Sequence, residues 1–177
     1  MTRKNSTPIP LAGLAGPVSF FSLIFCCFLQ AGSLPAQADP SAGPGELVVR
    51  DSSSGLMWQR GDSFHDLNKG LNWYEALEYA AKKNSEKFAG FDDWRLPTME
   101  ELNALYDSSR SLKSKDGESI GLPPGFWEGG SYYLWSADER GLDNAWYFGL
   151  GHKENYFNLK DLADLDQGAR LVRKAVP

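Results

Sequence analysis

Apolar positions divide the chain into a long uncharged start and a later series of short, punctuated runs. No charged residue lies between Lys4 and Asp39, and Val18 to Leu29 (VSFFSLIFCCFL) is continuously apolar. Asp39 to Gly45 (DPSAGPG) has too little apolar content to pack, which predicts a linker. Ordered structure is expected from Glu46. Leu47-Val48-Val49 and Leu56-Met57-Trp58 surround Asp51-Ser-Ser-Ser-Gly55, the pattern of a β-hairpin. Trp73, Ala76, Leu77 and Ala80 then recur at helical spacing. Asn72 is placed to cap that helix and Glu78 to pair with Lys82 along it, and the pattern fades near Asn84.

Phe91 to Pro97 (FDDWRLP) reads as extended, because a proline turns the residue before it away from helix. Thr98 and Glu101 have capping-box spacing at the start of a second helix. Met99, Leu102, Leu105 and Tyr106 form its apolar stripe. Ser108 to Gly130 holds Pro123-Pro124-Gly125 and Gly129-Gly130 and predicts a long irregular loop. Strands are expected at 132–136, 145–150 and 156–159, with a last one at 170–176. Helices followed by consecutive strands indicate an α+β fold with an antiparallel sheet.

Charge and composition change the picture at the start of the chain. Arg3 and Lys4, the apolar run, and Ala36-Gln37-Ala38 ahead of Asp39 follow the order of a secretory signal peptide, with cleavage after Ala38. The alternative is an uncleaved membrane anchor over Leu11 to Leu29. Both readings place the domain outside the cytoplasm, periplasmic or secreted, and cleavage would leave no stable membrane insertion. Ile24 and Phe25 before Cys26 do not suit lipid attachment. Residues 1–38 are thus read as signal, 39–45 as linker and 46–177 as one domain. Of the 177 residues, 139 follow Ala38; they carry 16 basic and 23 acidic groups, a net charge near −7, and no cysteine. That length can bury a core without disulfides.

Several motifs recur in a known family. They are Asp51-Ser-Ser-Ser-Gly-Leu-Met-Trp-Gln-Arg60, Trp73 with Ala76-Leu77, Asp93-Trp-Arg-Leu-Pro-Thr98 with Glu101-Leu102, Leu134-Trp135-Ser136, Ala145-Trp146 with Phe148, and Leu171-Val172-Arg173. Their order and spacing resemble the Lcl C-terminal domain family, over about Glu46 to Val176. The resemblance implies two helices flanking a twisted antiparallel sheet, similar to C-type-lectin-like and formylglycine-generating-enzyme-like folds. It also implies adhesion through sulfated glycosaminoglycans, the property of the collagen-like adhesin that names the family. Two departures stand out. The stretches where many relatives carry cysteines read Glu78-Tyr-Ala-Ala81 and Arg173-Lys-Ala175 here, and no Gly-X-Y segment is present.

The search for chemistry narrows the function. Without a cysteine after Ala38, thiol catalysis and cysteine-dependent oxidation are excluded for the domain. His65 and His152 read as surface loop residues with no nucleophile elbow nearby. Two lone histidines make no zinc site. Asp161, Asp164 and Asp166, and likewise Asp138, Glu139, Asp143 and Asn144, read as solvated acidic loops without EF-hand spacing. No metal or cofactor is expected. Asp92-Asp93 reads as a turn, and Glu101 as a cap rather than half of a hydrolytic pair. Trp58, Trp73 and Trp94 are expected in the core, their indole N–H groups bonded to backbone. Trp127, Trp135 and Trp146 are weighed as packing residues, with Trp127, in a glycine-flanked loop, the strongest of the three for ligand contact. Lys82, Lys83 and Lys87, Lys113 and Lys115, and Arg170, Arg173 and Lys174 read as solvated basic groups. No nucleic-acid motif is present.

These readings converge on an exported, non-enzymatic binding module for a glycan or a surface protein. The ligand-binding residues are expected to be Trp127, Asp138, Arg140, Asp143 and Asn144. An envelope structural or assembly protein and a small glycoside hydrolase are the alternatives. Oligomeric state is not legible.

Overall fold

The structure, a computed structural model, describes residues 44–175. The expected signal peptide and all but the end of the expected linker lie outside these residues. The first described element is α1 (Pro44–Leu47), which includes the expected start at Glu46. β1 (Val48–Asp51) and β2 (Leu56–Gln59) form the expected hairpin. Asp51 closes its turn by accepting hydrogen bonds from the backbone and hydroxyl groups of Ser53 and Ser54.

A short helix absent from the sequence expectations, α2 (Ser63–Leu67), follows with Asp62 as its N-cap. α3 (Trp73–Ser85) has the expected Asn72 cap, completed into a capping box by Glu75. Trp73, Ala76 and Ala80 are buried as expected, but Leu77 is exposed and Tyr79 takes the fourth inward position. The stripe is displaced because the Tyr79 hydroxyl, accepting from Gln59 and donating to Asp66, has polar partners inside. Lys82 pairs with Glu86 at 3.8 Å rather than with Glu78.

The 91–97 segment is extended, and Arg95 bridges Val172. α4 (Met99–Leu105) starts at the expected Thr98–Glu101 capping box. The long loop contains one small ladder, β3 (Leu112–Lys113) with β4 (Ser119–Ile120). β5 (Tyr133–Arg140), β6 (Asn144–Gly149) and β7 (Glu154–Leu159) form an antiparallel meander. β8 (Val172–Lys174) returns to pair with β2. The fold is therefore α+β and rich in antiparallel sheet, but the strands of the described residues make three small sheets where one was expected.

Strand alternation explains how these sheets pack. Met57, Trp135, Tyr147 and Leu171 join one apolar cluster with Trp73, Ala76, Tyr79 and Ala80 of α3. Their chain neighbours Trp58, Leu134, Phe148 and Val172 join a second cluster with Leu102 and Leu105 of α4. Successive residues of an extended chain point to opposite faces, so β2, β5, β6 and the Leu171–Val172 segment feed both clusters. Burying a large apolar side chain contributes about 1.5–3 kcal/mol. The tryptophan expectation holds for burial and only in part for bonding. Trp73 donates to the Ser136 carbonyl and Trp94 to the Phe88 carbonyl, both at 2.9 Å. The Trp58 indole N–H has no partner. Trp135 is wholly buried and donates to the Leu71 carbonyl at 2.7 Å.

Candidate functional site

The β5–β6 turn end of the meander presents a set of half-exposed aromatic and polar side chains. Register places Trp146 opposite Phe157 and Arg140 opposite Asn144. The Trp146 and Phe157 rings meet edge to face with centroids 5.6 Å apart. The Arg140 guanidinium lies 3.5 Å from the Phe157 ring centroid and 5.2 Å from that of Trp146. Cation–π contact of this kind contributes about 0.5–1 kcal/mol at an exposed site. Among the described residues the guanidinium has no hydrogen-bond or ion-pair partner, so its five N–H groups are held in place without being used. Phe157 is 48 % exposed, and Trp146 is half-buried.

The turn below this group is pinned from beneath. Lys160, 5 % exposed, donates from Nζ to Glu139 at 2.5 Å and to the Leu142 carbonyl at 2.7 Å. Its backbone N–H donates to the Asp143 carbonyl at 2.8 Å, and its ammonium sits 5.0 Å from the Trp73 ring. The turn is thus tied to α3 and to β7 at once. Asp143 also faces Tyr74, Leu159, Lys160 and Asp161 across a cleft of about 240 Å³.

The remaining candidates lie elsewhere. A bulge in β5 between Trp135 and Glu139 redirects Asp138, whose carboxylate accepts from the Met99 N–H at 2.6 Å. Asp138 therefore completes the N-terminus of α4. Trp127 is half-buried on Gly61 and edge-on to His65, with ring centroids 5.6 Å apart. Of the five expected binding residues, Arg140, Asp143 and Asn144 come together, while Asp138 and Trp127 are engaged in packing. Phe157 and Lys160 were missed. The sequence signal for Phe157 was the alternation of β6 and β7, which sets it opposite Trp146.

Two other sequence readings are corrected. His65 is not a surface loop residue. It sits in α2 with 9 % of its side chain exposed, Nδ1 2.8 Å from Asp62 and Nε2 2.9 Å from the Glu128 carbonyl. Nor are the basic groups uniformly solvated. Arg170 is wholly buried beside Asp62, and Arg173 is buried with Nε 2.5 Å from Asp93. Lys83 pairs with Asp66 at 2.8 Å, and Lys115 with Asp116 and Asp166 at 2.9 and 3.0 Å. Each of these cations is matched by a carboxylate.

Carboxylates elsewhere hold structure together. Burial opposes ionisation of Glu101, but bonds from Arg95 and the Thr98 N–H outweigh it and keep its pKa low. The Arg173 hydrogen bond lowers that of Asp93. A second cleft of about 300 Å³ is bounded by the neutralised Lys115, by Asp116, Glu118 and Asp166, and by Tyr132, Tyr133 and Leu165. Among the described residues no group of three or more His, Cys, Asp or Glu is arranged to hold a metal ion, and no helix is long and apolar enough to cross a membrane.

An α+β domain built on antiparallel sheets, with a pinned aromatic and arginine-bearing turn, is the class this geometry defines. Residues 47–173 match the model of the Lcl C-terminal domain, and the chain belongs to that family. No curated protein matches the chain.

Proposed function

We propose that this protein is an exported, non-enzymatic binding module with a C-type-lectin-like arrangement of two helices about a twisted antiparallel sheet, and that it binds carbohydrate at a cell surface. One observation carries the reading: the Arg140 guanidinium rests against two aromatic rings, its N–H groups without a partner among the described residues, at a turn that Lys160 fixes. A sugar ring presents an apolar C–H face and a rim of hydroxyls, which calls for an aromatic wall and a few aimed polar groups. Trp146 supplies the wall, and Asn144 and Asp143 supply polar groups on the same turn. The planar fork of arginine suits a carboxylate or sulfate on the sugar. The unpaired Arg140 favours an acidic group on the sugar despite the net charge near −7, with Glu139 already paired with Lys160 and Asp143 left to accept from sugar hydroxyls.

The test is a glycan array probed with the purified protein, including uronic and sulfated sugars. Binding to a defined subset is expected, with a loss of about tenfold or more in Arg140→Ala and in Trp146→Ala, the span of a typical binding hot spot. Trp127→Ala should retain binding. Failure to bind any glycan or any cell surface would remove the proposal. A protein complex that free sugar cannot displace would replace it with an assembly role.

A further inference from the structure

The exposed sheet edges are treated unequally. The β5 edge is closed by Gly168: the Trp135 N–H donates to the Gly168 carbonyl at 2.9 Å, and the Gly168 N–H to the Tyr133 carbonyl at 2.8 Å. The β8 edge is closed by Arg95, which exchanges both backbone bonds with Val172. β1 is only four residues long and carries Arg50 and Asp51, as blunted edges do. β7 is six residues long, has neither proline nor lysine, and carries the exposed Phe157 and Leu159.

Which β7 groups are free follows from the ladder. The Lys160 N–H donates to the Asp143 carbonyl, so Lys160, Asn158, Tyr156 and Glu154 turn their backbone groups toward β6. Asn155, Phe157 and Leu159 turn theirs outward. Leu159 is already engaged: its N–H donates to the Asn158 side chain, and its carbonyl accepts from the Leu162 N–H. That leaves the N–H and C=O of Asn155 and Phe157, four groups with no partner among the described residues.

We propose that this edge pairs with a second copy of the chain, antiparallel about a twofold axis at Tyr156, so that two three-stranded sheets become one of six strands. In this register Asn155 of each copy exchanges both backbone bonds with Phe157 of the other. All four free groups on each side are then satisfied, and no engaged group is disturbed. A shift of two residues one way would need Leu159, which is taken. A shift the other way would need Lys153, which lies outside the strand with φ +59°. The same register sets Tyr156 opposite its own copy at a non-hydrogen-bonded position, where side chains are closest. Tyr156 already stacks on Tyr147 with centroids 5.4 Å apart, and Tyr133 joins the row, so the pairing continues a tyrosine stripe across the axis. Glu154 faces Asn158 of the other copy, and no like charges oppose.

Sedimentation and hydrogen exchange on the purified protein test this. The protein should sediment at twice its monomer mass as concentration rises. The Asn155 and Phe157 amides should gain at least about tenfold protection with concentration, while Tyr156 and Asn158 stay protected throughout. Asn155→Pro removes one outward donor and leaves the β6 ladder intact, so it should stay monomeric. A wild-type chain that is monomeric at every concentration overturns the proposal. So do a dimer that survives Asn155→Pro undiminished and edge amides protected at all dilutions, the last because another part of the same chain would then cover the edge.

Discussion

Asp62 shows how much structure one side chain can organise. Its carboxylate is fully buried and accepts from the Phe64 and His65 N–H groups, from the Ser131 N–H at 2.8 Å, and from Arg170 at 3.3 Å. A Cβ at Gly130 would strike its Oδ2, so only glycine lets the loop come this close. Burial disfavours the Asp62 charge, but the His65 hydrogen bond and the Arg170 guanidinium outweigh it, and its pKa falls below 3.8. Burial likewise disfavours the His65 charge, and the Asp62 hydrogen bond and charge overcome it, raising its pKa above 6.5. The two signs bound a window. A lowered carboxylate pKa gives stability that is complete above 3.8 and is lost as pH falls through the folded value. A raised histidine pKa gives stability that is complete below 6.5 and is lost as pH rises through the folded value. From this pair, unfolding free energy should be greatest between pH 3.8 and 6.5 and decline on either side. Denaturant titrations across pH check this. Asp62→Asn should flatten both arms and destabilise by about 3–5 kcal/mol, because it leaves Arg170 buried without its counter-charge. An unchanged alkaline arm in that variant would show that His65 titrates independently of Asp62.

At the scale of elements, α4 is held at its start by three separate devices. The Thr98 hydroxyl accepts from the Glu101 N–H at 3.2 Å, Glu101 accepts from the Thr98 N–H at 2.8 Å, and Asp138 accepts from the Met99 N–H. Arg95 then grips both Glu101 oxygens. Thr98→Ala should cost about 1 kcal/mol in a chemical melt, the usual value for a lost N-cap. A cost well below that would mean that Asp138 and Glu101 hold the helix start without the hydroxyl. These devices also mark what could be read in the chain. Thr98 with Glu101, Asn72 with Glu75, and the Asp51 turn lie within a few residues of one another, so their spacing encodes them. Asp138 meets Met99 39 residues away across a bulge, and no local pattern announces that. Leu77 and Tyr79 fall on adjacent stripes of one helix. Polar partners on distant elements, Gln59 and Asp66, decide which of the two turns inward. The candidate site was legible to the same degree. Arg140, Asp143 and Asn144 share one turn and were found together. Phe157 and Lys160 join them only through strand register.

At the scale of the whole molecule, the last residues close what the first ones open. β8 pairs with β2, Val172 bridges Arg95, Arg170 neutralises Asp62, and Gly168 covers the edge of β5. Arg170 and Asp62 are 108 positions apart, so this closure can form only after nearly the entire domain has been made. It also explains why Arg170 and Arg173, which looked solvated from sequence, are spent inside the fold, while Lys174 stays exposed. Charge that would otherwise have softened the acidic surface is buried against Asp62 and Asp93. The closure is the reason to expect all-or-none folding in a domain that has three small sheets and no cysteine pair to join them. A chain ending at Ala169 should lose the cooperative transition, because the buried Asp62 would lose its Arg170 counter-charge and keep only His65, and β2 and the Arg95 segment would expose unpaired backbone. Near-ultraviolet circular dichroism checks this, since Trp58, Trp94 and Trp135 are buried and report fixed packing. The truncated chain should lose that signal and bind a hydrophobic dye. A sharp melt with the near-ultraviolet spectrum intact would mean that the two clusters assemble without the terminal strand, and that its role is to seal edges rather than to complete the core.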